Sequence, residues 1–200
     1  MSRRMLITGL VVALTAVSLS QLWAAKHNSK VDIGDKAATW SDVPGTDGKT
    51  HSLSDFGDAK AVVVVFTCNN CPVAVAYEDR LIDLARDYKD KKVAVVAINV
   101  NKNEDLKAMK ARAEEKGFNF PYLYDESQES AREYGATCTP HVFVLDGDRT
   151  IAYMGAVDDN MNSANAEKHY LRDAIDAVLA GKKPETTETK QVGCSIKWKS

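Results

Sequence analysis

Ala61-Val62-Val63-Val64-Val65-Phe66-Thr67-Cys68-Asn69-Asn70-Cys71-Pro72 is the stretch whose reading decides the fold. Four consecutive β-branched residues ending in Phe66 predict a strand buried on both faces. Proline fits the first turn of a helix, where its missing N–H leaves nothing unpaired. Cys68 and Cys71 therefore fall in the turn between a central strand and a helix. The residue before a proline is pushed away from helical dihedrals, which makes Cys71 the helix N-cap and leaves Cys68 in the loop. Free N–H groups and the helix macrodipole at that position stabilise a thiolate.

Working outward, Pro72 opens a helix to about Tyr88, with Val73, Tyr77, Leu81, Leu84 and Tyr88 on one stripe. Val93–Val100 reads as a second buried strand, parallel to the first across that helix. Asn103 is the expected cap of a helix that turns Leu106, Met109 and Ala113 inward and stops at Gly117. Pro121–Tyr124 is a short strand, and Ser127–Tyr134 a short helix ending at Gly135. His141–Leu145 and Thr150–Met154 form a hairpin around Asp146-Gly147-Asp148. Asp158–Asn165 is a polar loop, and Glu167–Ala180 is an amphipathic helix closed by Gly181. Upstream, Asp47-Gly48 turns between short strands Thr39–Val43 and Thr50–Leu53, an N-terminal β-hairpin. Strands alternating with helices imply an α/β fold, a central mixed sheet with helices on both faces.

The chain has 200 residues with 26 basic and 28 acidic side chains, a net charge of −2, and its lysines are scattered. Such a balance points away from nucleic acid. Met1-Ser2-Arg3-Arg4 followed by the apolar run Met5–Leu22 reads as a signal peptide or N-terminal anchor over residues 1–25, with Ala24 and Ala25 near the cut. As an anchor, residues 5–22 would tether the protein to a membrane. Either reading places the protein outside the cytoplasm, periplasmic or extracellular, where disulfides persist. Residues 26–36 read as a flexible lead-in, 37–182 as one domain and 183–200 as a C-terminal tail ending Gly193-Cys194-Ser195-Ile196-Lys197-Trp198.

These residues resemble a known family. The strand-Cys68-x-x-Cys71-Pro72 unit, with Tyr77-Glu78-Asp79-Arg80-Leu81, Thr139-Pro140 before Val142-Phe143-Val144-Leu145, and the terminal Cys194 segment, looks like the thioredoxin-like fold. More closely, it is similar to the exported peroxiredoxin-like redoxins of the alkyl hydroperoxide reductase and thiol-specific antioxidant superfamily. The resemblance implies a cis Thr139–Pro140 bond, with Pro140 against the cysteines and Thr139, Thr67 and Pro72 as supports. It also implies a thiol–disulfide oxidoreductase or antioxidant protein that reduces disulfides or peroxides. Its partners would be a thiol/disulfide redox protein and a peroxide or protein-disulfide substrate, with no organic cofactor and no metal.

Counted from Phe66, the thioredoxin nucleophile corresponds to Cys71, which agrees with the N-cap argument. Cys71 is thus expected as the attacking thiolate and Cys68 as its resolving partner. Departures from the pattern are equally legible. Cys68 stands where a peroxiredoxin keeps Thr or Ser, Arg149 is the sole arginine near the later strands, and Val65 and Thr67 replace the acid and Trp of thioredoxins. Cys138 is a third redox thiol or a small apolar residue entering a strand. Cys194 is a resolving thiol, a partner for Cys138, or a packed tail residue. His141 lines the site or merely begins the strand. Glu78, Asp79 and Arg80 read as the solvated side of the first helix. Alternatives outside catalysis are a thiolate Cu(I) carrier and a catalytically silent binding domain.

Overall fold

A computed structural model of the protein describes residues 27–199. The segment read as a signal peptide or anchor lies outside them. Among the described residues no helix is long and apolar enough to cross a membrane.

The valine run forms the middle of the molecule. In chain order the elements are β1 (Val43–Pro44), β2 (Thr50–His51), β3 (Ala61–Phe66), α1 (Pro72–Tyr88), β4 (Val93–Asn99), α2 (Leu106–Lys116) and β5 (Tyr122–Tyr124). They continue with α3 (Glu129–Tyr134), β6 (Cys138–Thr139), β7 (His141–Leu145), β8 (Ile151–Gly155), α4 (Tyr170–Leu179) and β9 (Cys194–Ser195). The central sheet has five strands in the order β5-β4-β3-β7-β8. β4 runs parallel to β3 and to β5, whereas β7 is antiparallel to both β3 and β8. Every residue of β3 is fully buried, as expected for a strand covered on both faces.

The alternation of a strand assigns its neighbours. Val63 and Val65 face α1 and α4 through Tyr77, Leu81, Leu84, Leu171 and Ile175, with Met109 of α2 in the same cluster. Val62, Val64 and Phe66 face the other way, toward Trp40, Leu53, Tyr134 of α3 and Ile196 of the tail. Helices thus cover both faces of a mixed sheet, and β1 pairs with β2 as the small N-terminal hairpin.

Several boundaries differ from the sequence reading for identifiable reasons. The Asp159 carboxylate accepts the N–H groups of Glu167 and Lys168, which holds them in the loop, so α4 starts at Tyr170. Asp125 accepts from the N–H groups of Ser127 and Gln128, and Gln128 takes a φ of 65°, so α3 starts at Glu129. The cap of α2 is Asp105, accepting from Ala108 N at 2.7 Å, rather than Asn103. Hairpin strands expected over Thr39–Val43 and Thr50–Leu53 shrink to two residues each, with Leu53–Phe56 a 3-10 turn. The lead-in, expected to be flexible, is mostly exposed but is tied to the domain at three residues. Asn28 is buried and donates to Tyr134 O, and Val31 and Ile33 lie against the core.

Candidate active site

Strand direction gathers the chemistry at one end of the sheet. β3 and β4 are parallel, so Thr67 to Pro72 and residues 100–105 leave the sheet at the same end. β7 is antiparallel to β3 with His141 opposite Phe66, so Cys138 to Pro140 enters the sheet there. Loops beyond the carboxyl ends of parallel strands are the usual place for function in an α/β sheet.

Cys71 is the N-cap of α1, in extended backbone, with Pro72 at the first helical position. Its sulfur accepts from Ala74 N at 3.4 Å and, as a thiol, donates to Thr139 O at 3.1 Å. Cys68 Sγ lies 3.1 Å from Thr139 Oγ1. Thr139 thereby holds both sulfurs, one by its carbonyl and one by its hydroxyl. The Thr139–Pro140 bond is cis, as the resemblance implied. Thr67 serves through its backbone, its N–H bonding to Ile98 O as the chain leaves β3.

The two cysteines ionise differently. Burial works against the Cys71 thiolate but is outweighed by hydrogen bonding from its neighbours, Cys194 and the Ala74 N–H foremost. The balance holds Cys71 below the ordinary thiol value. Burial pushes Cys68 up to about 11; the Thr139 hydroxyl opposes this and the charge of Glu104 adds to it. Among the described residues both are free thiols, as are Cys138 and Cys194.

The C-terminal tail closes the site. β9 pairs antiparallel with β6, setting Cys194 opposite Thr139. The Cys194 side chain packs against the Cys68–Cys71–Ala74 cluster. A Cβ on Gly193 would stand 2.0 Å from Thr139 O, so only glycine permits this approach. Cys71 is left 1% exposed. Cys138 sits within electrostatic reach of Cys71 and Cys194 and is raised to about 11, chiefly by burial.

A model of the redoxin family matches residues 32–170, well over half of the chain. The chain belongs to the redoxin family. Its structure is similar to that of a hypothetical protein of Sinorhizobium meliloti 1021, at 38% identity and a TM-score of 0.79, covering 86% of this chain and 98% of that one. An uncharacterised conserved protein of Geobacillus kaustophilus is 36% identical, TM-score 0.79, covering 86% of this chain and 95% of that one. A Chlorobium tepidum protein described as thiol:disulfide interchange protein DsbE is 26% identical, TM-score 0.63, covering 74% of this chain and 99% of that one. No curated protein shows significant similarity.

Several residues of this redoxin were not visible as site residues in its sequence. Glu104 is buried and accepts from Asn69 N, Asn70 N and Asn70 Nδ2 at 2.9, 3.1 and 3.1 Å, and from Asn99 Nδ2 at 2.7 Å. Tyr122 OH donates to Asn69 Oδ1 at 2.9 Å and accepts from Asn99. One carboxylate therefore fixes the loop between the two cysteines. The only hint was the polar run Asn101–Glu104 directly after a buried strand.

Other expectations about side chains are corrected. Glu78 is buried and paired with Arg112 at 2.7 Å rather than solvated. Arg80 donates to the buried Asp158, which also accepts from Tyr77 OH at 2.8 Å. Arg149 caps carbonyls of Phe56 and Ala59, at the opposite end of β3 from the thiols. His141 begins β7, one of its two readings, and is buried against Phe143 with its Nε2 3.2 Å from Gln191 Nε2. Among the described residues no three of His, Cys, Asp and Glu are arranged to hold a metal ion.

Proposed function

We propose that the protein is a thiol–disulfide oxidoreductase in which Cys71 attacks and Cys68 resolves. The observation that carries this reading is the placement of two sulfurs held by one residue, Thr139: Cys71 caps the first free N–H groups of α1 and Cys68 lies off the helix in the loop. Cys71 sits on helix N–H groups and lies below the ordinary thiol value, whereas Cys68 is raised to about 11. A thiolate attacks a disulfide in line and forms a mixed disulfide. The second thiol, kept protonated until needed, then displaces the bound group and leaves a Cys68–Cys71 disulfide. Redoxin membership and the likeness to a protein described as an interchange protein support the class.

A disulfide is favoured over a peroxide as the substrate. Arg80 is engaged by Asp158 and Arg149 lies at the far end of β3, so neither stands ready to hold a peroxide oxygen. The basic-then-apolar stretch Arg3–Leu22 supports export, where a protein disulfide partner would be met.

Single-cysteine variants test the assignment. A chain keeping Cys71 alone should react with an aromatic disulfide, release one coloured thiol and retain the other as a stable mixed disulfide. A chain keeping Cys68 alone should react far more slowly at neutral pH. The reverse order would overturn it.

A further inference from the structure

The proposed cycle uses two thiols, yet a third cysteine packs against the same cluster. Cys194 lies outside the stretch matched by the redoxin family, residues 32–170. It is brought to Cys71 by a built attachment. Ile196 is buried in the core and its N–H bonds to Thr137 O at 3.0 Å. Lys197 N donates to Asn101 Oδ1 at 2.7 Å, and Lys197 O accepts from Gln128 Nε2 at 2.9 Å. Gln128 is itself fully buried, with φ of 65°, and its Oε1 accepts from Lys199 N. The Arg132 guanidinium stacks 4.4 Å from the Trp198 ring. Gly193 admits the strand against Thr139, and the register then sets Cys194 beside the Cys71 sulfur.

We infer that Cys194 is a second resolving thiol for Cys71, and that the Cys71–Cys194 disulfide staples the C-terminal tail over the site. The inference deepens the reading of Cys71 as the attacking sulfur and rests on it. In the first step the Cys71 thiolate attacks a disulfide R–S–S–R. The Cys71–S–S–R bond forms, the R–S–S–R bond breaks, and one RS⁻ leaves and is protonated. In the second, the Cys194 sulfur attacks Cys71 Sγ. The Cys71–Cys194 bond forms and the second RS⁻ leaves with the proton that Cys194 gives up. Two protein thiols are oxidised and one disulfide is reduced to two thiols, so the reactant is the only oxidant required. Cys194 remains half-buried while Cys68 is nearly sealed, which makes Cys194 the more accessible of the two resolving sulfurs.

The test adds Cys194 back to the full chain that keeps Cys71 alone. With the aromatic disulfide, the Cys71/Cys194 chain should release two coloured thiols instead of one. Peptide mapping should then find a Cys71–Cys194 crosslink. The lifetime of the mixed disulfide should shorten at least about tenfold relative to the Cys71-only chain, because a tethered thiol acts at high effective concentration. The wild-type chain, treated with one equivalent of the same reagent, should show the same crosslink beside Cys68–Cys71, which guards against a folding defect in the variants. A persistent mixed disulfide on Cys71 with Cys194 free would overturn the inference and leave the attacking role of Cys71 standing. No uptake at Cys71 in any chain would overturn both.

Discussion

Cys71 gains its acidity from donors rather than from exposure, and those donors can be removed one at a time. Cys194→Ala deletes the thiol packed against it, the neighbour that does most to lower its pKa. The pH at which Cys71 is half-alkylated by iodoacetamide should then rise toward the ordinary thiol value of about 8.5. An unchanged profile would show that the Ala74 N–H and the helix end suffice. Glu104 offers a second single-residue test. Glu104→Ala releases the Asn69 and Asn70 N–H groups to solvent and leaves the fully buried Asn99 amide without its acceptor, and a buried unpaired donor of this kind costs about 1–3 kcal/mol. The denaturation midpoint should fall by an amount that corresponds to about 1–3 kcal/mol, with Glu104→Gln in between. The position of Cys71 was legible because Pro72 constrains its neighbour locally. Glu104 was not, because its partners lie 34 and 35 positions away in sequence and a carboxylate at a helix start reads as solvated.

The strand and helix order was legible from hydrophobic period, since β3, α1 and β4 each follow one template over many residues. Elements that depend on a single distant contact were not. β9 is two residues long with no periodicity, and its place follows from Gly193 meeting Thr139 and from Gln128 reading the tail backbone. Starts of α3 and α4 shifted because Asp125 and Asp159 bind the N–H groups that a periodic pattern assigns to the helix. Gly193→Ala is the corresponding test at this scale. An added Cβ would fall 2.0 Å from Thr139 O, so β9 must lift. Hydrogen exchange over residues 194–198 should accelerate and Cys71 alkylation should speed up severalfold, without loss of the β3–β4 core. Unaltered protection would mean that the backbone absorbs the methyl group by a small shift.

In the whole molecule, one mixed sheet delivers the Cys68–Cys71 loop, the Glu104 clasp, the Thr139–Pro140 turn and the tail to the same end. His141 couples that end to overall stability. Burial lowers its pKa from 6.5 to about 3, and its Nδ1 has no partner among the described residues. Between these values the unfolded chain binds more protons than the folded one, so the His141 contribution is complete above pH 6.5 and is lost as pH falls toward 3. Denaturant midpoints should therefore decline below pH 6.5, and His141→Phe should flatten that decline; an equal slope in the variant would assign it to other groups. The docked tail has a kinetic corollary. With Cys71 1% exposed and Cys194 of β9 packed against it, access for a large reactant should require β9 to lift and then re-dock, a unimolecular event independent of what waits outside. Disulfides of very different intrinsic reactivity should then converge at saturation on one ceiling rate, set by how often residues 193–199 come away.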